Sequence, residues 1–548
     1  MKKPFSFFLL VLIGLLAFNK AGAQETIARP KLVVGIVIDQ MRWDYLYRYY
    51  DIYKQDGGFK RLLGKGFSCE NTLIPYTPTY TAPGHTCIYT GSVPAIHGIT
   101  GNEWYDYEKQ GFMYCAQDDT VHTIGADNDN GKMSPRNMLA TTITDELRLA
   151  TNFRSKVIGV AIKDRGAILP AGHAANAAYW YDARTGNFIS SNYYKFNNDA
   201  LPKWVNAFNN RSIVDSLYKL NWNFALPEAT YKLYCTDDDR DYEGKPFGAI
   251  QKKMPYDFSA FIGKDYGKIS VTPYGNTLTT EMAKAAINGE DLGNRGITDF
   301  LAVSYSSPDY IGHTFGPNSH EQLDDFARLD DELGRLFSFL DNKIGEGQYL
   351  VFLTADHGVA HVAGFNKEKR LPGRTVFFSI NAMNSFLKQK FDADSLVIAF
   401  ENGQIYLNRR LIQNNNLSME DIKESLIPFI SYDAAVANVF DVTEISEATL
   451  NNTQKQMIAN GYFPKRSGDI HVIFKPGFYE GGSAGTTHGL WNPYDAHIPL
   501  LWYGWGIKQG KTNRETYMTD IAATLAGMLH IQMPSGCVGK VITEVAGN

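Results

Sequence analysis

The sequence predicts a doubly wound α/β fold, in which a mostly parallel central sheet is flanked by helices. Two observations predict it: long apolar runs typical of strands buried on both faces, and helical patterns between these runs. In addition, charged residues lie where the runs end. In such folds, ligands bind in the crevice outside the carboxyl ends of the strands. The charged run ends therefore predict one polar site at that edge.

Four apolar segments carry the strand pattern. In chain order they are KLVVGIVID, which ends at Asp39, KVIGVAI, which is followed by Lys163, DFLAVSYSSPD, which ends at Asp309, and GQYLVFLTAD, which ends at Asp356. Apolar runs without polar alternation suit parallel strands that are covered on both faces. We therefore expect these four charged side chains to meet at one edge of the sheet.

The clearest helix lies in EQLDDFARLDDELGRLFSFL, between the third and fourth of these strands. Its apolar residues recur at spacings of three and four and form one stripe; they are Leu323, Phe326, Leu329, Leu333, Phe337 and Leu340. We expect the acids between them to form the solvated face of the helix; they are Asp324, Asp325, Asp330 and Asp331.

Two stretches interrupt the alternation of strands and helices. Residues 171–285 are rich in Tyr, Asn and Trp, and residues 366–480 carry short strand and helix patterns of their own. We interpret both as accessory, cap-like insertions into a single catalytic domain that spans residues 24–548.

The N-terminal residues 1–23 have the pattern of a secretory signal peptide. Lys2 and Lys3 precede an apolar run over residues 5–18, and Ala21-Gly22-Ala23 supplies a small-residue cleavage site. The apolar run is shorter than the roughly 20 residues that a membrane-spanning helix needs. We expect a secreted, periplasmic protein with no stable membrane anchor after cleavage.

Composition excludes some classes of partner. Removal of residues 1–23 takes away three lysines and no acids, so the formal net charge moves from −5 to −8. An acidic chain without a basic stripe argues against nucleic acid as a partner. The five scattered cysteines contain no CxxC pair, which argues against a cysteine metal site. We expect a monomer.

Carboxylates and imidazoles cluster in the motifs that follow the predicted strands. Asp309 and His313 are spaced i, i+4 in PDYIGHTFGP, and Asp356 and His357 are adjacent in TADHG. With Asp39 and with His488 in GTTHG they form a set of six groups, of the types that bind zinc in catalytic sites. Taken singly, each would be read as a helix cap or a salt bridge. Three further groups lie near these motifs and are candidates to orient a metal-bound imidazole: His361, His497 and Asp495.

The ordered motifs carry a family resemblance. IVID at Asp39, PTYTAPGH around Thr81, GITGN at Asn102, SPDYIGH, TADHG and TTHG together resemble the alkaline phosphatase superfamily, in its branch of phosphodiesterases and single-threonine phosphatases. The resemblance spans nearly the whole mature chain. With KDR at residues 163–165, the sequence is similar to PafA-type alkaline phosphatases, periplasmic phosphate-irrepressible enzymes of flavobacteria.

The resemblance implies two zinc ions per chain. The first would be held by Asp39, Asp356 and His357, with the oxygen of Thr81 completing its coordination. The second would be held by Asp309, His313 and His488, with a position open for water or the leaving-group oxygen. Each set has three protein ligands, as in catalytic zinc sites.

The resemblance also selects the nucleophile from the threonines of PTYTAPGHTC. The family's nucleophile is the second threonine of PTxT, which is Thr81 here, whereas Thr79 is expected to cap or pack. Zinc coordination stabilises the alkoxide of an otherwise weakly nucleophilic hydroxyl. Thr81 would form a phosphothreonine, which a zinc-bound hydroxide would hydrolyse. Where the sulfatase motif C/S-x-P-x-R has Cys or Ser and then Arg, this chain has Thr81 and His85, and Cys87 is out of register.

Three further residues bear on the choice between monoesters and diesters. In PafA-type enzymes the positions of Asn102, Lys163 and Arg165 bind the transferred phosphoryl group, and diesterases of the branch usually lack the two cations. A monoester dianion carries more charge on its non-bridging oxygens and needs cations to match it. We therefore expect a phosphate monoesterase of broad specificity acting on small molecules. The alternatives are a nucleotide pyrophosphatase or phosphodiesterase and an inactive zinc-binding surface protein.

Overall fold

A mixed sheet of eleven strands forms the centre of the molecule, in a computed structural model that describes residues 27–547. The strands are, in chain order, β1 (Leu32–Ile38), β2 (Phe67–Leu73), β3 (Glu103–Asp106), β4 (Gly111–Tyr114), β5 (Thr123–Ile124), β6 (Val157–Ala161), β7 (Ala177–Asp182), β8 (Asn187–Ser191), β9 (Asp299–Tyr305), β10 (Tyr349–Thr354), β11 (Thr375–Val376), β12 (Val397–Glu401), β13 (Gln404–Leu407), β14 (Val436–Asp441), β15 (Ile470–Phe474), β16 (Tyr479–Glu480), β17 (His497–Ile498), β18 (Leu500–Gly504) and β19 (Gly510–Tyr517).

Helices cover the sheet. The α-helices are α1 (Tyr45–Arg48), α2 (Gly58–Lys65), α3 (Thr81–Thr90), α4 (Pro94–His97), α5 (Ile143–Ala150), α6 (Asp164–Ala171), α7 (Lys203–Asn209), α8 (Ile213–Tyr218), α9 (Glu228–Tyr234), α10 (Tyr274–Glu290), α11 (Ser307–Phe315), α12 (His320–Lys343), α13 (Ala363–Glu368), α14 (Ile380–Phe391), α15 (Arg409–Asn414), α16 (Met419–Ser431), α17 (Asn452–Gly461), α18 (Pro493–Ala496), α19 (Asp520–Leu529) and α20 (Thr543–Ala546). Short 3-10 helices lie at Pro135–Asn137, Asn192–Tyr194, Asn197–Asp199, Ser259–Phe261, Tyr266–Val271 and Val442–Glu444.

The order of the strands confirms the predicted α/β class. The sheet runs β17-β2-β18-β10-β1-β9-β6-β7-β8-β5, and β19 pairs with β2. The five strands from β10 to β7 are parallel, whereas β18 and β8 join them in antiparallel pairs. The four predicted strands form four of these five parallel strands, and each is buried along its whole length.

The register of the parallel strands aligns their carboxyl ends. Val37 of β1 pairs with Ser304 of β9 and with Thr354 of β10, and Ala161 of β6 also pairs with Ser304. The segments that follow these strands therefore leave the sheet side by side. The third predicted strand ends earlier than its apolar run suggests, and Asp309 lies in the first turn of α11, after a proline that favours a helix start.

The prediction that the acids of α12 face solvent was wrong for three of the four. The three that are buried are Asp324, Asp325 and Asp330, and the half-buried one is Asp331. Asp324 accepts hydrogen bonds from the indole of Trp222 and the amide of Ala225, both from the segment 171–285. Asp330 accepts from the amides of Lys54 and Phe59. Neighbouring segments cover this side of the helix, and their donors satisfy its carboxylates.

The two predicted insertions differ in how they join the main sheet. Segment 171–285 contributes β7 and β8 to that sheet before its helices begin. Segment 366–480 forms a separate sheet, β12-β13-β15-β14, with an apolar core of its own against α14 and α16. We propose that both segments are insertions into one catalytic domain.

The predicted signal peptide, residues 1–23, lies outside the described residues. Across residues 27–547, every helix is too short or too polar to cross a membrane.

Candidate active site

The carboxyl edge of the parallel strands brings the sequence-predicted groups together. Asp39 directly follows β1, Asp356 and His357 follow β10, and Lys163 links β6 to α6. Thr81 is the first residue of α3, a helix whose ten residues are all buried. Gly84 allows this helix to approach the β10 end closely, because a Cβ at position 84 would lie 2.5 Å from the Asp356 carbonyl oxygen.

The first predicted ligand set forms one cluster. Asp39, Asp356 and His357 each offer a ligand atom within 4.8 Å of the others, and all three are fully buried. Oγ1 of Thr81 lies 3.3 Å from Nε2 of His357. Among residues 27–547, the buried Asp39 Oδ1 finds no hydrogen-bond donor. Buried carboxylate oxygens without donors fit a bound cation.

The second predicted ligand set forms a neighbouring cluster. Asp309, His313 and His488 also offer ligand atoms within 4.8 Å of one another. Nε2 of His313 lies 3.1 Å and Nε2 of His488 lies 3.8 Å from Oδ1 of Asp309. The rings of His357 and His488 stack at a centroid distance of 3.5 Å, so the two clusters are adjacent.

Backbone carbonyls select the tautomer of all three histidines. Nδ1 of His313 lies 2.7 Å from the Thr486 oxygen, and Nδ1 of His488 lies 2.6 Å from the Thr79 oxygen. Nδ1 of His357 lies 3.0 Å from the oxygen of Gly358. Each Nδ1–H therefore donates to a carbonyl, which leaves Nε2 with its lone pair toward the carboxylates. Metal-binding histidines are commonly oriented in this way.

Burial and close neighbours shift the pKa values of the candidate ligands at this edge of the sheet. Burial, followed by the negative charges of Asp309 and Asp356, raises the pKa of Asp39 well above its ordinary value. Burial, followed by the neighbouring His357 and His313, holds the pKa of His488 well below its ordinary value. Three carboxylates and three imidazoles are a donor set that fits divalent cations of the zinc class.

Lys163 contacts both clusters. Its Nζ lies 2.7 Å from Oδ2 of Asp39 and 2.5 Å from Oδ2 of Asp309. Burial opposes its charged form, but Asp309 and Asp39 hold the pKa of Lys163 above its ordinary value. The ammonium group thus lies between the ligand sets, whereas Nη1 of Arg165 contacts the hydroxyl of Tyr114 at 3.0 Å.

Asn102 lies beside the predicted nucleophile. Its Oδ1 accepts a hydrogen bond of 3.0 Å from the backbone N–H of Ala82, the residue after Thr81. The structure thus brings Asn102 to the start of α3.

Sequence reasoning missed two residues that contact the predicted ligands. Gln40 donates from its backbone N–H to Oδ1 of Asp356 at 3.1 Å and from Nε2 to Oδ1 of Asp309 at 2.6 Å. Nδ1 of His85 lies 2.9 Å from the Thr81 carbonyl oxygen and 3.2 Å from Oδ2 of Asp356. The i, i+4 spacing of Thr81 and His85 was a usable signal for the second residue. For Gln40 the only signal was its position after Asp39.

The three residues predicted to orient a metal-bound imidazole, Asp495, His361 and His497, make different contacts. Asp495 accepts hydrogen bonds from the amides of Gly489 and Leu490 and so holds the loop that carries His488. The ring nitrogens of the other two candidates contact other residues: Nδ1 of His361 meets Asn318 Oδ1, and Nε2 of His497 meets the Glu70 oxygen.

The fold and the two ligand clusters define a member of a known hydrolase family. The chain belongs to the type I phosphodiesterase / nucleotide pyrophosphatase family, whose model matches residues 33–497. This match, with the relatives described next, confirms the resemblance to the alkaline phosphatase superfamily.

Similar proteins narrow the class. The chain is 50% identical to alkaline phosphatase PhoV of Synechococcus elongatus over 530 residues, 95% of this chain and 94% of that protein. It is 49% identical to alkaline phosphatase PafA of Elizabethkingia meningoseptica, over 98% of each chain. The crystal structure of wild-type PafA superposes with a TM-score of 0.93 at 48% identity, covering 95% of this chain and 100% of that one. The chain is an enzyme, a hydrolase of the alkaline phosphatase type.

Proposed function

We propose that this enzyme is a phosphate monoesterase of broad specificity that uses two zinc ions and a covalent phosphothreonine at Thr81. The observation that carries the proposal is the position of Thr81. Its hydroxyl begins a buried helix and lies 3.3 Å from Nε2 of His357, beside two adjacent sets of three nitrogen and oxygen ligands.

The ligand sets support zinc as the metal. Asp39, Asp356 and His357 would hold one ion, and Asp309, His313 and His488 the other. When bound, such a pair of ions activates a hydroxyl and stabilises the entering and leaving oxygens of an in-line displacement. The fixed Nδ1–H donors of the three histidines keep Nε2 available for this role.

Thr81 carries the transfer. Its Oγ1 forms a bond to phosphorus as the bond from phosphorus to the substrate alcohol breaks, and water then cleaves the phosphothreonine to release phosphate. The backbone N–H groups at the N-terminus of α3 favour the negative charge of the phosphoryl group at that end.

Asn102, Lys163 and Arg165 would bind the non-bridging oxygens. Lys163 supplies a point charge beside both ligand sets, and Arg165 supplies a fork of donors from the first turn of α6. A buried lysine and a half-buried arginine suit the dianion of a monoester better than the monoanion of a diester.

The proposal extends to the location and the oligomeric state of the enzyme. After removal of residues 1–23 the chain would act as a monomer in the periplasm, without nucleic acid or membrane partners. Its net charge of −8 in that form is consistent with small-molecule substrates.

Purified protein tests the proposal directly. We expect an aryl phosphate to be hydrolysed with a much higher kcat/KM than a bis-aryl phosphate, with loss of activity under a chelator and recovery with zinc. Thr81→Ala should abolish turnover, and mass spectrometry of acid-quenched wild-type enzyme should find phosphate on Thr81. The matched control is Thr86→Ala, because Thr86 lies in the same buried helix and its hydroxyl bonds only to the Ala82 oxygen within the described chain.

The family model favours one second candidate, a nucleotide pyrophosphatase or phosphodiesterase on the same fold. A large preference for the bis-aryl phosphate in the same assay would establish it in place of the monoesterase.

A further inference from the structure

A β-hairpin links the proposed phosphate-binding residue Asn102 to Tyr114, whose hydroxyl contacts Arg165. Asn102 immediately precedes β3, and Tyr114 is the last residue of β4, its antiparallel partner. The backbone N–H of Cys115 donates to the Asn102 oxygen at 2.9 Å, which closes the base of the hairpin. Asn102 and Tyr114 therefore occupy fixed positions relative to each other.

The hydroxyl of Tyr114 is bonded on both sides. It donates to Oδ1 of Asp164 at 2.5 Å and accepts from Nη1 of Arg165 at 3.0 Å. A phenol can do both at once, since it has one proton to donate and lone pairs to accept. The carboxylate of Asp164 polarises the phenol and makes its oxygen a better acceptor for the guanidinium.

Arg165 depends on this contact. In the chain from residue 27 to 547, its side chain makes a single hydrogen bond, to Tyr114, and its buried Nε finds no acceptor. The guanidinium is thus anchored at one nitrogen while its other donors stay available. A long side chain held at one point loses less freedom when it binds an oxyanion.

We propose that Tyr114 is a positioning residue that holds Arg165 for the phosphoryl group and thereby sets the preference for monoesters over diesters. The inference rests on the proposed function. A monoester presents one more anionic oxygen than a diester, so its transition state uses Arg165 more. Loss of the anchor should therefore weaken monoester hydrolysis selectively.

The test is Tyr114→Phe, which removes only the hydroxyl. Because a hydrogen bond to a charged group is involved, we expect kcat/KM for an aryl phosphate to fall about tenfold or more. Inhibition by inorganic phosphate should weaken in parallel, and kcat/KM for a bis-aryl phosphate should change less than twofold. In an Arg165→Ala background, Tyr114→Phe should add almost nothing, since the two residues act as one unit. The matched control is Tyr193→Phe, which removes a hydroxyl that bonds to the His173 oxygen at 3.0 Å.

Two results would overturn the inference: a parallel fall in monoester and diester activity, or effects of Tyr114→Phe and Arg165→Ala that multiply. Asp164→Ala provides an independent variant, because it removes the other partner of the phenol and should give the same selective loss. If the wild-type enzyme itself prefers the diester, the proposed function fails; if it prefers the monoester and Tyr114→Phe keeps that preference, only the role of Tyr114 fails.

Discussion

Gln40 links the two ligand clusters through hydrogen bonds. Its backbone N–H bonds to a carboxylate of one set and its side-chain amide to a carboxylate of the other. Its φ of 68° is left-handed, which costs a non-glycine residue about 1 kcal/mol. A strained residue that bonds to both Asp356 and Asp309 is well placed to fix the separation of the clusters.

We predict that Gln40→Leu weakens the second metal site. The substitution keeps the backbone N–H and removes the 2.6 Å bond to Asp309, so the carboxylate loses its fixed orientation. Zinc affinity at one of the two sites should fall by about 10- to 100-fold, measured by competition with a chromogenic chelator. Gln322→Leu is the matched control, because this buried glutamine bonds to the backbone oxygen of Pro308. Unchanged affinity at both sites in Gln40→Leu would contradict the role.

The clustering of the candidate ligands could be predicted from sequence because their side-chain types recur where buried strands end. Asp39 and Asp356 follow strands whose register places them together. Gln40 and Tyr114 could not be predicted in this way, since their roles depend on contacts with residues 269 and 50 positions away, respectively, that no local pattern records. The contacts of Lys163 with Asp39 and Asp309 needed the structure for the same reason.

At the scale of elements, the small sheet of segment 366–480 supports the hairpin β3–β4. Asn402, at the turn between β12 and β13, donates from Nδ2 to the Glu103 oxygen at 2.7 Å. Gly101 permits this approach, because a Cβ there would lie 2.4 Å from that Nδ2 atom. Asn402 thus packs against the residues on both sides of Asn102. The segment that we interpreted from sequence as a cap-like insertion thus contacts the hairpin that follows Asn102.

We predict that Asn402→Ala lowers activity without a matching loss of stability. Removal of the bond to Glu103 loosens the start of the hairpin, so Asn102 is held less firmly. We expect kcat/KM for an aryl phosphate to fall about fivefold, which corresponds to about 1 kcal/mol. Asn438→Ala is the control, because Asn438 lies in the same small sheet and bonds to the Thr449 oxygen. Equal activity in the two variants would show that the small sheet does not act through this contact.

The wrong prediction of solvent exposure for the acids of α12 shows that hydrophobic periodicity identifies only one face of a helix. The spacing of its apolar residues identified the stripe that packs against the core, and that stripe is buried. The acids were assigned to solvent because the pattern contains no information on what covers the other face. Trp222 and Ala225 come from a segment about 100 residues earlier, and tertiary contacts of this range decide the burial of Asp324.

At the scale of the whole molecule, His97 and His471 are buried away from the ligand clusters, and His361 is half-buried. Burial lowers the pKa of His471 to about 4, and burial with the charges of Arg42 and Arg48 lowers that of His361 to about 4. Burial, followed by the guanidinium of Arg466, lowers the pKa of His97 to about 3. Nδ1 of His97 accepts a hydrogen bond from the amide of Ile99, which also requires the neutral ring.

These groups make the folded enzyme sensitive to acid. An unfolded histidine binds a proton near pH 6.5, whereas the folded one stays neutral until well below it, so the unfolded state binds more protons between these values. The free energy of unfolding is therefore complete above pH 6.5 and falls as the pH drops toward 4. At pH 5 each fully buried histidine of this kind should cost about 2 kcal/mol.

We predict that His97→Asn reduces this sensitivity. The Asn carbonyl can accept the Ile99 amide in place of Nδ1, and the variant has no ring to protonate in the unfolded chain. Urea unfolding midpoints of wild type and variant, measured at pH 7.5 and pH 5, should show a smaller acid shift in His97→Asn. His122→Asn, at a side chain that is 54% exposed, should leave the shift unchanged. All three proteins keep the proposed metal ligands, so loss of metal at pH 5 would affect them alike. An equal acid shift in His97→Asn and wild type would mean that folded His97 takes up its proton as readily as the unfolded chain does.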